Sequence, residues 1–154
     1  MPSLYDGTKA EVRALNALIT MSRAVNAVHG TLAARRLADG VPMAQFAVLE
    51  ALWHGGSMCQ RDLAGKLLVS GANVTQLVDA VERKGWVTRE RDKRDRRYII
   101  LHLTEKGRTL IAAQFPRHAR EVAELFSVLT PTEQNTLREL AKKVGKQEKK
   151  GKMK

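Results

Sequence analysis

The sequence predicts a mainly α-helical chain carrying one small β-hairpin, an α+β fold, and three features predict it. Apolar residues recur every three or four positions through most of the 154 residues, the period of an amphipathic helix. Alternation with period two is confined to two short stretches, residues 85–91 ("GWVTRER") and 97–104 ("RYIILHLT"). Between them the chain crowds "DKRDR", a run too polar to bury and well placed to be a hairpin tip.

The first element is a long helix from about Thr8 to Ala38. Val12, Leu15, Ile19 and Ser22 form one stripe, and Leu18, Met21, Val25, Val28 and Leu32 form a second beside it. So wide an apolar surface predicts a helix that runs through the core or packs on another chain. Gly40 and Pro42 break it. "MAQFAVLEALWHGG" is the second helix, with Phe46, Leu49, Leu52 and Trp53 on one side and a Gly55-Gly56 stop.

A short helix follows in "SMCQRDLAGKLLVS", with Leu63, Leu67 and Leu68 inward. Ser70 is placed to cap the next helix by accepting a backbone N–H bond. That helix sets Val74, Leu77, Val78 and Val81 at i, i+3, i+4 and i+7, and Gly85 ends it. Its opposite face carries Ala72, Gln76, Asp79 and Arg83, flanked by Asn73 and Thr75. Short helix, turn and amphipathic helix make a helix-turn-helix, whose second helix reads the major groove from its N-terminal residues. Amide side chains suit base edges there, and small residues let the backbone approach. Two packed helices with a polar outer face also occur in many proteins that never touch DNA.

The hairpin adds weight to the nucleic-acid reading. Trp86, Thr88, Tyr98, Ile100 and His102 alternate with Val87, Ile99, Leu101 and Leu103. Residues 83–97 hold eight cations (Arg83, Lys84, Arg89, Arg91, Lys93, Arg94, Arg96, Arg97) against Glu90, Asp92 and Asp95, a balance of +5 that suits phosphate contact. An acid two residues before an arginine can hold the guanidinium in one pose. Asp95 is therefore assigned to Arg97, and Asp92 to Arg94. The plain alternative is a solvated, salt-bridged hairpin.

Thr104 caps another helix with Glu105 in its first turn, and Pro116 within it predicts a kink or break near Gln114 and Phe115. "TPTE" then places Thr130 as N-cap, Pro131 at N1 and Glu133 at N3, a capping box for a last helix bearing Leu137, Leu140 and Val144. Beyond Val144 the lysine-rich "GKQEKKGKMK" predicts a frayed basic tail.

Composition bounds the partners. Lys and Arg number 27 against 16 Asp and Glu, a net charge of +11, which points to a polyanion. Aromatic residues make up 5%, too few for stacking on unpaired bases, so duplex DNA is favoured over single strands. A single cysteine excludes an internal disulfide and reads as a reducing, cytoplasmic setting. The N-terminal "MPSLYDGTKAEVRALNAL" has no signal-peptide pattern, and no window reaches a membrane span of about 20 apolar residues.

Catalytic chemistry finds no support. His29, His54, His102 and His118 lack metal-ligand spacing, no phosphate loop or nucleophile elbow is present, and neither a metal nor a cofactor is expected. Cys59 falls at the start of the third helix near Arg61. Two readings stay open for it: a redox-sensing thiolate, or a small buried hydrophobe.

At this point a family resemblance emerges. Residues 67–108, "LLVSGANVTQLVDAVERKGWVTRERDKRDRRYIILHLTEKGR", resemble the MarR family of bacterial winged helix-turn-helix regulators. Asp92, Arg94, Asp95 and Arg97, followed by the "LTEKG" of Leu103 to Gly107, are similar to that family's wing signature. The resemblance implies one MarR-like domain over 1–154: dimerisation helices at about 8–38 and 117–145, the winged helix-turn-helix at about 43–104 and a basic tail at about 146–154. It implies a homodimer on a pseudo-palindromic duplex operator, usually a repressor, released by a small phenolic or other lipophilic ligand or by oxidant. The DNA-binding set it implies is Ser70, Ala72, Asn73, Thr75, Gln76, Arg94, Asp95, Arg96 and Arg97, with Arg97 in the minor groove oriented by Asp95. Family members often carry proline after the capping serine; here it is Gly71, a less rigid cap. The long first helix, "QFAVLEALWHGG" and "FPRH" resemble the branch that answers quinones and related electrophiles. His29, Trp53, His54 and Met58 are the residues the resemblance offers for an effector, with ordinary packing the alternative. Two functions of other classes fit the same charge: an architectural nucleic-acid protein without sequence preference, and a winged-helix module that binds protein.

Overall fold

The computed structural model describes residues 5–38, 40–67 and 69–146, residues 37 and 38 by their backbone alone. The element order is α1 (Lys9–Ala38), α2 (Met43–Gly55), β1 (Met58–Cys59), α3 (Gln60–Leu67), α4 (Gly71–Arg83), β2 (Val87–Arg91), β3 (Ile99–Leu103), α5 (Glu105–Phe126) and α6 (Pro131–Gly145). Two compact units divide within α5, after His118.

The first unit holds the core. Phe46, Val48, Leu49 and Leu52 of α2, Leu63 of α3, Val74, Val78 and Val81 of α4, Val87 and Leu101 of the hairpin and Ile111 of α5 are all essentially removed from water. All but Val48 and Ile111 belong to the apolar patterns expected from the sequence, with Leu77 and Leu67 packed at the margin. Leu68 lies outside the described residues. On α1 the prediction divides: Leu32 is buried and Val12, Leu15, Ile19 and Val28 are half-buried, while Leu18, Met21 and Val25 stand exposed.

The sheet has three strands rather than two. Met58 and Cys59 form β1 antiparallel to β3, giving the order β1-β3-β2. Cys59 therefore sits in a strand and not at a helix start, a correction with a simple cause. Met58 pairs with Leu101 and so needs an extended backbone to reach the core, where it is buried, and two residues are too few for alternation to show.

Local chemistry fixes the joints around α4. The Ser70 hydroxyl accepts from the Asn73 N–H at 3.3 Å, opening the helix as predicted. At its other end Gly85 takes φ +71°, with Gly85 N–H donating to Glu82 O (2.8 Å) and Trp86 N–H to Val81 O (3.0 Å). That left-handed cap turns the chain straight into β2. Thr104 then ties β3 and α5 back to the same corner: its N–H donates to Trp86 O, its hydroxyl donates to Gly85 O (2.7 Å) and accepts from Gly107 N–H (3.0 Å).

Helix α5 runs without a break through Pro116, so of the expected kink or break the break does not occur. Pro116 and Ala112, whose carbonyl loses its ladder partner, are both exposed, so that carbonyl is not forced into a dry, unbonded site. Ile111 and His118 on the buried side keep the helix in place. In the second unit the capping box at Thr130 is complete: Thr130 Oγ1 accepts from Glu133 N–H, and the Glu133 carboxylate accepts from Thr130 N–H at 2.8 Å. The Thr130 N–H, and next the Thr130 hydroxyl at 2.9 Å, donate to the Glu133 carboxylate and pull its pKa below the ordinary value. Leu137, Leu140 and Val144 of α6 are exposed. The tail from residue 147 onward lies outside the described residues. No helix among the described residues is long and apolar enough to cross a membrane.

Candidate nucleic-acid interface

Two surfaces of the first unit come together. On α4, Ala72, Asn73, Thr75 and Gln76 are exposed on the face opposite the buried valines, with Ser70 at its cap. At the hairpin tip, Asp92 N–H donates to Tyr98 O and Tyr98 N–H to Asp95 O, both at 3.0 Å, closing a compact turn over residues 92–98. Arg97 and Tyr98 line a shallow cleft of about 470 Å³ with Gly71 and Val74 of α4 and with Cys59, Gln60 and Arg61. The tip is thus beside the start of α4.

The acids of the tip do two different jobs. Asp95 grips Arg97 in a two-pronged pair, Nε donating to Oδ1 at 2.9 Å and an η-nitrogen to Oδ2 at 2.7 Å, and Asp95 Oδ1 also accepts from Arg97 N–H at 3.1 Å. The Arg97 bonds hold the Asp95 carboxyl below its ordinary value and push the Arg97 guanidinium further up. Arg97 remains 85% exposed despite this, so its orientation is set while its outer edge faces water.

Asp92 corrects the sequence assignment. Its Oδ1 accepts from the backbone N–H groups of Asp95 (3.0 Å) and Arg94 (2.6 Å), so it shapes the turn and does not hold the Arg94 side chain. A carboxylate at the start of a tight turn meets backbone donors two and three residues on before it meets a flexible guanidinium. Those bonds lower the Asp92 pKa, the Asp95 bond contributing most and the Arg94 bond next. Arg94 and Arg96 are exposed at the tip.

The eight cations are not equivalent either. Arg89 turns inward: its guanidinium meets Asp79 and Glu82 of α4, each at 2.6 Å. Lys84 lies 4.5 Å over the Trp86 ring and donates to Gln45 Oε1 at 2.8 Å. Arg91, Lys93, Arg94, Arg96 and Arg97 face solvent. Period two supplied the missed signal for Arg89: it shares a strand face with buried Val87 and pairs in register with Leu101, so its side chain starts from the core side.

The effector candidates separate. Trp53 and His54 are in ring contact (centroids 4.8 Å), and both meet Phe115 of α5 at 5.0 and 4.9 Å. Met58 is a core residue of β1, and His29 is exposed on α1. Sequence reasoning missed Phe115, together with His118 and Arg36. His118 packs against Phe46 with the rings tilted, centroids 4.8 Å apart, and the buried Arg36 lies 4.6 Å over the Phe46 ring and donates to Gln114 Oε1 at 3.2 Å. Nothing in their spacing signals a shared cluster, since it forms only when α1, α2 and α5 pack. Cys59 is half-buried, facing the cleft beside Arg61, which lies 5.2 Å over the Tyr98 ring.

Comparison with known proteins agrees with this architecture. Residues 41–99 match the model of the MarR family. The chain is 36% identical over 133 residues to the uncharacterised HTH-type transcriptional regulator YkoM of Bacillus subtilis, covering 86% of each protein. It is 33% identical to the HTH-type transcriptional regulator MhqR of the same organism, over 86% of this chain and 92% of that one. Among solved structures, a cysteine-to-serine mutant of Escherichia coli MarR complexed with operator DNA superposes with a TM-score of 0.69 at 28% identity, over 84% of this chain and 96% of that one. The winged helix-turn-helix, its exposed arginine tip and these likenesses lead to one conclusion: the chain belongs to the MarR family and is a transcriptional regulator that binds DNA.

Proposed function

We propose that the chain is a homodimeric, sequence-specific repressor, acting in the cytoplasm on a pseudo-palindromic duplex and released by a small aromatic effector. In this reading Ala72, Asn73, Thr75 and Gln76 enter the major groove, with the α4 start fixed by Ser70. Arg97, aimed by Asp95, enters the adjacent minor groove, and Arg94 and Arg96 meet phosphates. The observation that carries it is the Asp95–Arg97 pair: an exposed guanidinium held in one pose beside the N-terminus of an amphipathic helix. Holding a long side chain in advance reduces the freedom lost when it docks.

Exposed apolar rows support the dimer. Leu18, Met21 and Val25 on α1, and Leu137, Leu140 and Val144 on α6, recur at three- and four-residue intervals and stand between 41% and 62% exposed. Single exposed apolar residues are ordinary, but a repeated row on a helix is the pattern of a helix-packing interface. For the effector, Trp53 and His54 with Phe115 supply an aromatic wall suited to a phenol or quinone. Cys59 is retained as the alternative, oxidant-sensing trigger.

Selection of bound sequences from a random duplex pool tests the central claim, followed by a screen of phenols and quinones for release. A two-fold-related consensus and a steep fall of affinity with salt are expected. Equal binding to selected and random duplex would show an architectural protein instead, and the absence of salt-sensitive DNA binding would favour a protein-binding module. If Cys59→Ser leaves quinone- or peroxide-induced release unchanged, the thiol is not the trigger.

A further inference from the structure

Arg89 differs from the other hairpin arginines in where it spends its donors. From the core-side face of β2 it reaches α4 and α3 together: the Asp79 and Glu82 carboxylates, the Thr75 carbonyl oxygen at 3.3 Å and Gln60 Oε1 at 3.3 Å. Gln60 passes the connection on. With its Oε1 taken by Arg89, its Nε2 donates to Thr75 Oγ1 at 3.0 Å, and the Thr75 hydroxyl donates to Gly71 O at 3.0 Å. Only one amide orientation of Gln60 serves both neighbours, because Arg89 has nothing but donors to offer.

We propose that Arg89 and Gln60 are positioning residues for sequence readout, joining the wing strand to the exposed start of α4 so that the two parts grip DNA in a fixed relation. The proposal rests on the DNA-binding reading above and refines it. Arg89 keeps no charge to spare for a phosphate: one cation faces two carboxylates, and its side chain is 21% exposed. It also cancels acid that would otherwise repel a phosphate backbone from the outer face of α4. Thr75, for its part, has its proton committed to Gly71 and one lone pair to Gln60. It therefore meets a base through its methyl group or its remaining lone pair, and its rotamer is set by Gln60.

The test uses the full-length protein, a duplex selected by the parent from a random pool, and a random-sequence duplex of equal length. Arg89→Lys keeps the charge, but one ammonium cannot bridge two carboxylates, an amide and a carbonyl in a planar fork. The ratio of selected to random affinity should fall about tenfold, with the slope of log affinity against log salt unchanged. Gln60→Leu, which leaves both ion pairs intact, should lower the same ratio in the same direction, with thermal melting showing that it folds. Arg96→Ala serves as contrast, since loss of a cation placed on a phosphate should reduce the slope by about 0.9 per contact. Retention of the parent ratio by Arg89→Lys would mean that charge alone matters and overturns the proposal, as would a normal ratio in Gln60→Leu. A slope lowered by about 0.9 in Arg89→Gln would make Arg89 a phosphate contact and overturn it too. A parent that selects no preferred duplex sinks the sequence-specific reading itself, a result distinguishable from all of these.

Discussion

Replacing Gly107 by alanine sets two effects of opposite sign against each other, and the structure decides between them. Gly107 lies in the first turn of α5, where alanine is the better helix former by at most ~1 kcal/mol. Yet a Cβ built there would run into the Trp86 carbonyl oxygen, with the Trp86 carbonyl carbon at 3.0 Å and Leu103 Cδ1 at 2.9 Å. Leu103 could rotate away. The Trp86 carbonyl cannot, because it accepts from Thr104 N–H while Trp86 N–H is bonded to Val81 O and Val87 is locked in the sheet. Overpacking against fixed atoms costs about 1 to 3 kcal/mol, and backbone belongs at the upper end. A net loss of about 2 kcal/mol is expected. Urea denaturation of parent and variant at one fixed protein concentration measures it, since association would otherwise shift the midpoint. Gly65→Ala in α3 is the internal control: nothing lies within 4 Å of its Cβ position, so the same substitution should stabilise by roughly 0.5 to 1 kcal/mol. A midpoint for Gly107→Ala at or above that of the parent would refute the reasoning, since helix propensity would then outweigh the contact with Trp86.

Two further substitutions probe the core and the tip. Leu63 is fully buried between α2 and α4, so Leu63→Ala should destabilise by about 2 to 5 kcal/mol, and a loss below 1 kcal/mol in urea would show that the site collapses around the gap. Asp95→Asn should weaken binding to the selected duplex while leaving the fold intact by circular dichroism; equal affinity would remove the aiming role of the pair. The pH dependence has a definite sign. Because the folded-state pKa of Asp95 is depressed, the pair is complete above the ordinary carboxylate value of 3.8 and is lost only as pH falls through the lower folded value. The titration of Asp95 should therefore give DNA affinity no pH dependence between about pH 5 and 8, and a midpoint near 6 that vanishes in Asp95→Asn would contradict this.

What the sequence disclosed was whatever depends on one element at a time. Val74, Val78 and Val81 on one face of α4, Ser70 at its cap, the Thr130 capping box and the Asp95–Arg97 pair all follow from spacings of two to four residues. What it concealed depends on packing between elements. β1 is a strand only because β3 lies beside it, and α5 passes through Pro116 with Ile111 before it and His118 after it buried. The cluster of Trp53, His54 and Phe115 joins residues some sixty positions apart. Arg89 is the instructive case. Counted with its neighbours it belongs to a basic tip, whereas its strand face makes it an internal bridge. A charge count discards that period-two information.

The two paired arginines of the hairpin also show why an ion pair cannot be valued from its geometry alone. Asp95–Arg97 has the more ideal two-pronged geometry, yet Arg97 is 85% exposed, and a pair so hydrated adds little to folding. What it does is geometric: the two-pronged bond to Asp95 fixes where the exposed guanidinium points. Arg89 sits at 21% exposure with four acceptors on two helices, so breaking it leaves two carboxylates of α4 facing each other across an empty site. Loss of Arg97 should therefore register in DNA affinity and its salt dependence with the melting temperature unmoved. Loss of Arg89 should register in both stability and discrimination, because the residue that neutralises the helix is also the one that orients it.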